Sequence, residues 1–278
     1  MKIDIHVHVT PPDIIENWES YAQKEPYFSL ISNSKVNKFA DAEDITAVLD
    51  KDNFDKAVIF GFGFNDMGLC RYVNDYVIEK VKQYPDKLIG FAVAPHGNKE
   101  TAKEIERCFN AGLKGVGELF PQGQGIDLIN EKETSSIAGT CRELGIPLLL
   151  HANELVGHDY PGKTKVPMQD IEKFVFNNPE LKIILAHFGG GIFIYETMKE
   201  IKQAFRNVYY DTAVAPYLFD SRIYNAVKAL EICDKLLFGS DFPILPPSRY
   251  HKSLDASGLN EEDKKLILGL NAQKLLGI

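Results

Sequence analysis

Four histidines and two carboxylates in this chain have the types and spacing to hold a divalent cation. His6 and His8 stand two residues apart in Ile3-Asp4-Ile5-His6-Val7-His8-Val9, where apolar and polar residues alternate strictly. Alternate side chains of a strand share a face, so Ile3, Ile5, Val7 and Val9 fall on one side and Asp4, His6 and His8 on the other. Two imidazoles so placed can share one metal ion, or they can form a hydrogen-bonded structural pair. Glu118, His151, His187 and Asp241 lie at the ends of other short apolar runs. A cation held by such groups lowers the pKa of bound water to about 7, and a neighbouring carboxylate can then carry the proton.

These residues act together only if the fold brings the ends of their runs to one place. The strand candidates are Lys2–Val9, Lys56–Phe62, Leu88–Ala94, Gly115–Phe120, Pro147–His151, Lys182–His187, Val208–Thr212 and Leu236–Asp241. Most are continuous apolar runs such as Ala57-Val58-Ile59-Phe60, as expected of parallel strands covered by helices. Between them, Leu69, Tyr72, Val73, Tyr76, Val77 and Val81 recur at helical spacing, and Ile171, Phe174 and Val175 do the same. Strand–helix alternation repeated eight times predicts an α/β fold, a single (β/α)8 TIM barrel over residues 1–278. The C-terminal strand ends of such a barrel converge on one cavity. His6 and His8 on strand 1, Glu118 on strand 4, His151 on strand 5, His187 on strand 6 and Asp241 on strand 8 would then share that rim. Six buried polar groups at one rim are costly without a common partner, which favours a metal site.

One connection is long. Residues 10–41 separate the first strand from a first barrel helix expected near Ala42–Lys51. This insert carries Trp18, Tyr21, Tyr27 and Phe28, and a helix is expected from Asp13 to Gln23 because Ile14, Trp18 and Tyr21 have helical spacing. A long first βα loop is expected over the barrel mouth, with its remaining aromatics lining a pocket.

Composition narrows the class. The chain has 278 residues, 45% hydrophobic and 25% charged, with a net charge of −8 and no basic block. That argues against nucleic acid and anionic membranes as partners. No apolar run approaches the roughly 20 residues of a membrane span, and no signal peptide is expected. Cys70, Cys108, Cys141 and Cys233 are scattered without a CxxC pair, as expected of reduced thiols in a cytoplasmic protein. The expected partners are a small-molecule substrate and, at most, further copies of the same chain.

The ordered set His6-x-His8, His151 after an apolar run, Ala186-His187-Phe188-Gly189-Gly190-Gly191 and Phe238-Gly239-Ser240-Asp241-Phe242-Pro243 resembles the amidohydrolase superfamily. It is most similar to the amidohydrolase-related branch of metal-dependent hydrolases and decarboxylases, from residue 1 to about residue 275. The resemblance implies that His6, His8, His151, His187 and Asp241 occupy metal-binding or catalytic positions, with His187 either a ligand or a free base. Many binuclear members carry a carbamylated lysine on strand 4, where this chain has Gly117-Glu118-Leu119-Phe120. A glutamate there resembles members in which it ligates or bridges metal, so one or two ions fit. Nucleases of the TatD type also carry such a glutamate, but their strand-8 Glu-Thr-Asp is Gly239-Ser240-Asp241 here.

The resemblance implies a metal-dependent hydrolase of a small amide, ester or lactone, most simply with zinc. Asp241 and His187 are the expected catalytic residues; His6, His8, Glu118, His151, His187 and Asp241 are the expected metal ligands. The alternative is a metal-dependent, non-oxidative decarboxylase of a small aromatic or unsaturated acid. Decarboxylases of the branch usually lack the strand-4 glutamate, so Glu118 puts hydrolysis first. In the polar loop after strand 5, His158, Tyr160 and Lys163 are the candidates for gripping a substrate anion. Asp4 is expected as a hydrogen-bonded residue deeper in the barrel and Asp211 as a support for the site.

Overall fold

The apolar runs pair side by side. The computed structural model describes residues 1–34 and 39–278, and among them eight parallel strands lie in chain order. They are β1 (Ile3–His8), β2 (Lys56–Phe60), β3 (Leu88–Ala92), β4 (Gly115–Leu119), β5 (Leu148–Leu150), β6 (Ile183–Leu185), β7 (Val208–Asp211) and β8 (Leu236–Leu237). Leu148, Leu149 and Leu150 pair in register with Ile183, Ile184 and Leu185. The chain after β8 returns to β1: Ile5 N donates to Phe238 O (2.8 Å), Asp241 N to His6 O (2.9 Å) and His8 N to Phe242 O (2.8 Å). These bonds close the (β/α)8 barrel and draw Asp241 to the histidine strand.

Alternation along the strands divides the core in two. Leu148 and Leu150 pack with Cys141, Ile171 and Phe174 of the surrounding helices. Leu149 between them belongs to a second cluster with Val58, Phe60, Phe91, Ile184 and Leu237. Both faces of these strands are therefore buried, which is why the runs are apolar without a break. Each fully buried leucine or phenylalanine is worth roughly 1.5–3 kcal/mol.

Local signals set the helix ends. Asp41 Oδ1 accepts from Asp44 N (2.8 Å) and Asp44 Oδ2 accepts from Asp41 N (3.3 Å), a capping box that starts Ala42–Asp52. Helix Glu131–Leu144 ends at Gly145, whose φ of 68° turns the chain into β5. Among the described residues no helix is long and apolar enough to cross a membrane, and all four cysteines are free and buried.

The insert departs from the expected single helix. It forms Pro12–Glu16, Trp18–Ala22 and Pro26–Ser32; its residues 35–38 lie outside the described residues. The break falls at Asn17, whose Nδ2 donates to Asp13 O (3.0 Å) at φ −120° and ψ 25°. A short amide side chain that bonds the backbone competes with helix continuation. The insert is fastened by Glu25, whose buried carboxylate accepts from Asn65 N (3.1 Å) and Asp66 N (3.0 Å). Tyr72 OH fastens it again by donating to Asp13 Oδ1 (2.5 Å).

Candidate metal centre

Strands 5, 6 and 8 are shorter than the sequence indicates, and this sets the geometry of the site. His151, His187 and Asp241 sit just past the strand ends, where the backbone leaves the ladder. His187 (φ 56°) and Asp241 (φ 62°) are both left-handed. Non-glycine residues adopt that region at a cost and do so chiefly where the surroundings over-determine them. Here the turns swing the imidazole and the carboxylate inward. His6 and His8 remain on β1 and Glu118 on β4.

Six side chains meet. His6 Nε2 lies 3.4 Å from His8 Nε2 and 3.6 Å from Asp241 Oδ1; His8 Nε2 is 3.2 Å from that same oxygen. Glu118 stands between two groups of ligands. Its Oε2 is 3.5 Å from both His6 Nε2 and His8 Nε2. Its Oε1 is 2.9 Å from His151 Nδ1 and 3.7 Å from His187 Nε2. His187 Nε2 is 3.2 Å from His151 Nδ1. His6, His8 and Asp241 form one cluster fit for a cation, and Glu118, His151 and His187 another beside it.

The surrounding bonds decide where the lone pairs point. His6 Nδ1–H donates to Asp211 Oδ2 (2.8 Å), leaving the lone pair on Nε2. His187 Nδ1–H donates to Ala213 O (3.0 Å), a carbonyl that can only accept, so its Nε2 also presents a lone pair. Asp211 Oδ1 accepts from His187 N (2.9 Å) and Ala213 N (3.0 Å), tying the two histidines to one carboxylate. Asp241 Oδ1 is buried and makes no aligned hydrogen bond despite its approach to His8. In the neutral rings, electron pairs thus converge with the carboxylate oxygens on one small volume. An unpartnered buried polar atom costs about 1–3 kcal/mol, more when charged. Imidazole and carboxylate donors, oriented by outer partners, fit a divalent cation.

The acidic groups favour positive charge at this place, as protons on the rings or as a bound cation. Burial opposes the charged form of His6, but Glu118, Asp211 and Asp241 outweigh it and hold its pKa well above the ordinary value. His8 moves the same way: burial lowers it, and Asp241 and Glu118 raise it further. Burial works against the Glu118 carboxylate, yet His6 and His151 pull its pKa well down. Asp241 is lowered likewise, against burial, by His6 and His8. His187 goes the other way: burial and then His151 hold it neutral and available as a lone-pair donor. Asp4 supports β1 from below, accepting from His6 N (3.2 Å) and Ser240 N (2.9 Å). Burial raises its pKa to about 7.

Above this floor lies a cavity of about 480 Å³. Its walls are mainly apolar and aromatic, including Phe62, Phe120 and Tyr217 from the barrel loops and Phe28, Ile31 and Phe39 from the insert. Phe120 stacks on His151 at 4.8 Å and on Phe62 at 5.6 Å, carrying the aromatic surface down to the ligands. Of the three loop residues expected to grip substrate, His158 and Tyr160 line the cavity. Lys163 does not. Its ammonium turns back into its own loop, donating to Val156 O (2.6 Å) and His158 O (3.0 Å) and pairing with Glu154 (3.5 Å). A charged group surrounded by accessible carbonyls gains more there than against an apolar wall.

Sequence reasoning missed Asn153, Phe62 and Phe120. Asn153 was findable from its spacing, two residues after His151 and so on the same face of an extended segment. The phenylalanines gave no signal, because apolar residues at a strand end read as core.

A family model described as Amidohydrolase matches residues 3–278. The 2-amino-3-carboxymuconate-6-semialdehyde decarboxylase of Dictyostelium discoideum is 25% identical over 341 residues, covering 100% of this chain and 92% of that protein. The gamma-resorcylate decarboxylase of a Polaromonas species is 25% identical over 255 residues, covering 74% and 75%. A solved 5-carboxyvanillate decarboxylase from Novosphingobium aromaticivorans, complexed with manganese and a nitrobenzoic acid, superposes with a TM-score of 0.78 at 18% identity, covering 100% and 96%.

Proposed function

The chain belongs to the amidohydrolase family, and from that premise we propose that it is a metal-dependent, non-oxidative decarboxylase of a small aromatic or unsaturated carboxylic acid. The observation that carries this reading is the cavity. Its floor is a cluster of imidazoles and carboxylates suited to a divalent cation, and its walls are aromatic and sized for a substituted ring. The two relatives described above are decarboxylases whose names give an unsaturated and an aromatic acid, which moves the balance from the hydrolase that Glu118 put first.

His6, His8 and Asp241 would hold a divalent ion, with Glu118, His151 and His187 beside them. The donor set suits zinc or manganese. Bound there, the ion would supply Lewis-acid binding of a substrate carboxylate or ring oxygen. The chain does the rest. Phe62 and Phe120 orient the ring and exclude water. Decarboxylation breaks the bond between ring and carboxylate carbon and leaves the electron pair on the ring. Asp241 takes a proton from a ring hydroxyl or from water at the mouth and returns it to that carbon. The net change is one acid anion and one proton to one arene and one carbon dioxide. His187, held neutral, stays oriented on Ala213 O throughout.

The test is incubation of metal-loaded protein with hydroxybenzoates and unsaturated acids in D₂O. One equivalent of carbon dioxide and one deuterium at the vacated carbon are expected, and Asp241→Asn should lose both. Hydrolysis is the second reading, because Glu118 contacts both ligand clusters. Absence of carbon dioxide from every acid, with ¹⁸O from water entering the product of a lactone or amide, would establish hydrolysis and overturn decarboxylation.

A further inference from the structure

The cavity is polar at its floor and apolar along its length. From His151, rings follow one another up one wall. Phe120 lies 4.8 Å from the imidazole, Phe62 5.6 Å from Phe120, and Phe28 5.2 Å from Phe62, centre to centre. Phe39 continues the wall 5.9 Å beyond Phe28, and Ile31 stands on the same short helix as Phe28, Pro26–Ser32. Leu218 and Ile244 line the cavity from the segments after β7 and β8. A lone carboxylated ring resting on the floor ends well short of Phe39. The volume of 480 Å³ also falls in the range that encloses drug-sized ligands, about 300–1,000 Å³.

The insert's part of this wall is held in place by the rest of the fold. Glu25, one residue before the helix, accepts from Asn65 N (3.1 Å) and Asp66 N (3.0 Å) and pins it to the segment after β2. Tyr27 lies against Gly123, where a Cβ would stand 2.3 Å from its ring. A wall already in place gives up little freedom when a ligand packs on it. The polar loop after β5, by contrast, spends its donors on itself. Thr164 N donates to Asn153 Oδ1 (2.8 Å) and Asn153 Nδ2 to Thr164 O (3.1 Å), which closes the loop base. Within the loop, Tyr160 OH donates to Glu154 Oε2 (3.1 Å), and the Lys163 ammonium donates to Val156 O and His158 O.

We propose that the substrate is an aromatic acid carrying an apolar substituent, an alkyl chain or a second ring, with its carboxylate toward the floor and its substituent against Phe28, Ile31 and Phe39. The inference rests on the aromatic-acid reading above and narrows it. Such a substituent takes its own apolar surface and that of the wall out of water, and each buried methylene tightens binding about fourfold. A charged substituent in the same place would give up its hydration to phenylalanine and isoleucine side chains that return no hydrogen bond. The insert that bears this wall is thereby the element that selects the substrate.

Binding, measured without turnover, tests it. Protein loaded with Mn²⁺ is titrated calorimetrically with benzoate, with its para-methyl, para-ethyl, para-propyl and para-butyl derivatives, and with terephthalate. None of these acids carries a ring hydroxyl. Affinity is expected to rise about fourfold with each added carbon, and para-butylbenzoate is expected to bind more tightly than terephthalate. A total gain from benzoate to para-butylbenzoate below about tenfold, or terephthalate as the tightest binder, would overturn the inference. The aromatic-acid reading would survive that result, because the acids bind. Binding by none of them would overturn that reading and the inference with it. Ile31→Asn, at a half-buried position of the insert, should weaken para-butylbenzoate several-fold more than benzoate. Equal losses for the two acids would overturn the placing of the substituent against the insert. The series on the parent chain decides the matter whether or not that variant folds.

Discussion

Asp211→Asn is a one-atom change whose effect follows from the bonds around it. Asp211 is fully buried and accepts three hydrogen bonds: His187 N and Ala213 N on Oδ1, His6 Nδ1–H on Oδ2. In the asparagine the two backbone amides keep the oxygen on their side, so the new NH₂ faces His6 Nδ1. Two donors cannot face each other at 2.8 Å. His6 must move its proton to Nε2, the atom 3.4 Å from His8 Nε2 and 3.5 Å from Glu118 Oε2. An N–H then points at the cation site. Recovering the binding tautomer breaks that amide–imidazole bond and leaves two buried donors unpaired, about 1–3 kcal/mol. At 1.4 kcal/mol per tenfold, metal affinity should fall about 5- to 100-fold. The backbone bonds survive, so the metal-free melting temperature should change little. Calorimetric titration of chelator-stripped protein with Mn²⁺, beside melts in chelator, measures both. An affinity within about twofold of the parent would refute the claim that Asp211 sets the His6 tautomer; the twofold bound is about 0.4 kcal/mol, well below the bond at stake.

Glu118→Gln should reduce tightly bound metal per chain by elemental analysis; unchanged metal content and turnover would remove Glu118 from the ligand set. Gly190→Ala places a Cβ 2.2 Å from Asn153 O at φ +60°, so it should destabilise the fold by at least about 1–3 kcal/mol and disturb the loop base. Gly191→Ala meets no atom within 4 Å and should cost only its left-handed backbone, so equal melts for the two variants would exclude the clash. Glu104 is buried, which by itself would raise its carboxyl, but forked bonds from Arg107 (2.9 and 2.8 Å) and one from Asn74 (2.8 Å) hold its pKa below the ordinary value. A depressed folded pKa contributes stability above the unfolded value of about 4.3 and loses it as pH falls through the folded one. The stability gap between parent and Glu104→Gln, read by urea melts, should therefore shrink from pH 6 toward pH 3; a constant gap contradicts the assignment.

Some of the site was legible because its signals are local. Strict alternation around His6 and His8 places both on one face with no knowledge of the rest. The run Ile183-Ile184-Leu185-Ala186 announces a buried strand and puts His187 at its end. Asp41, Asp66 and Asn130 cap their helices in the structure, each accepting a backbone N–H of the first turn. Other features were closed to a linear reading. Trp18 and Tyr21 have helical spacing with Ile14, yet Asn17 between them breaks the helix by a bond to Asp13. Lys163 looks like an anion grip by charge and position, but three oxygens of its own loop hold it.

What the sequence determined by itself is the set of periods and punctuation: runs of period two, helices of period 3.6, and the residue types at the run ends. Those are near-neighbour properties of the backbone, and they imply the barrel and its rim. The tertiary structure alone decided which of the rim groups share a volume and which nitrogen of each imidazole faces it. The reason is distance along the chain. His6 takes its tautomer from a carboxylate 205 residues away, and Asp241 reaches it only because the chain beyond β8 closes onto β1. Hydrogen-bond direction depends on atoms brought together by closure, and no local pattern encodes it.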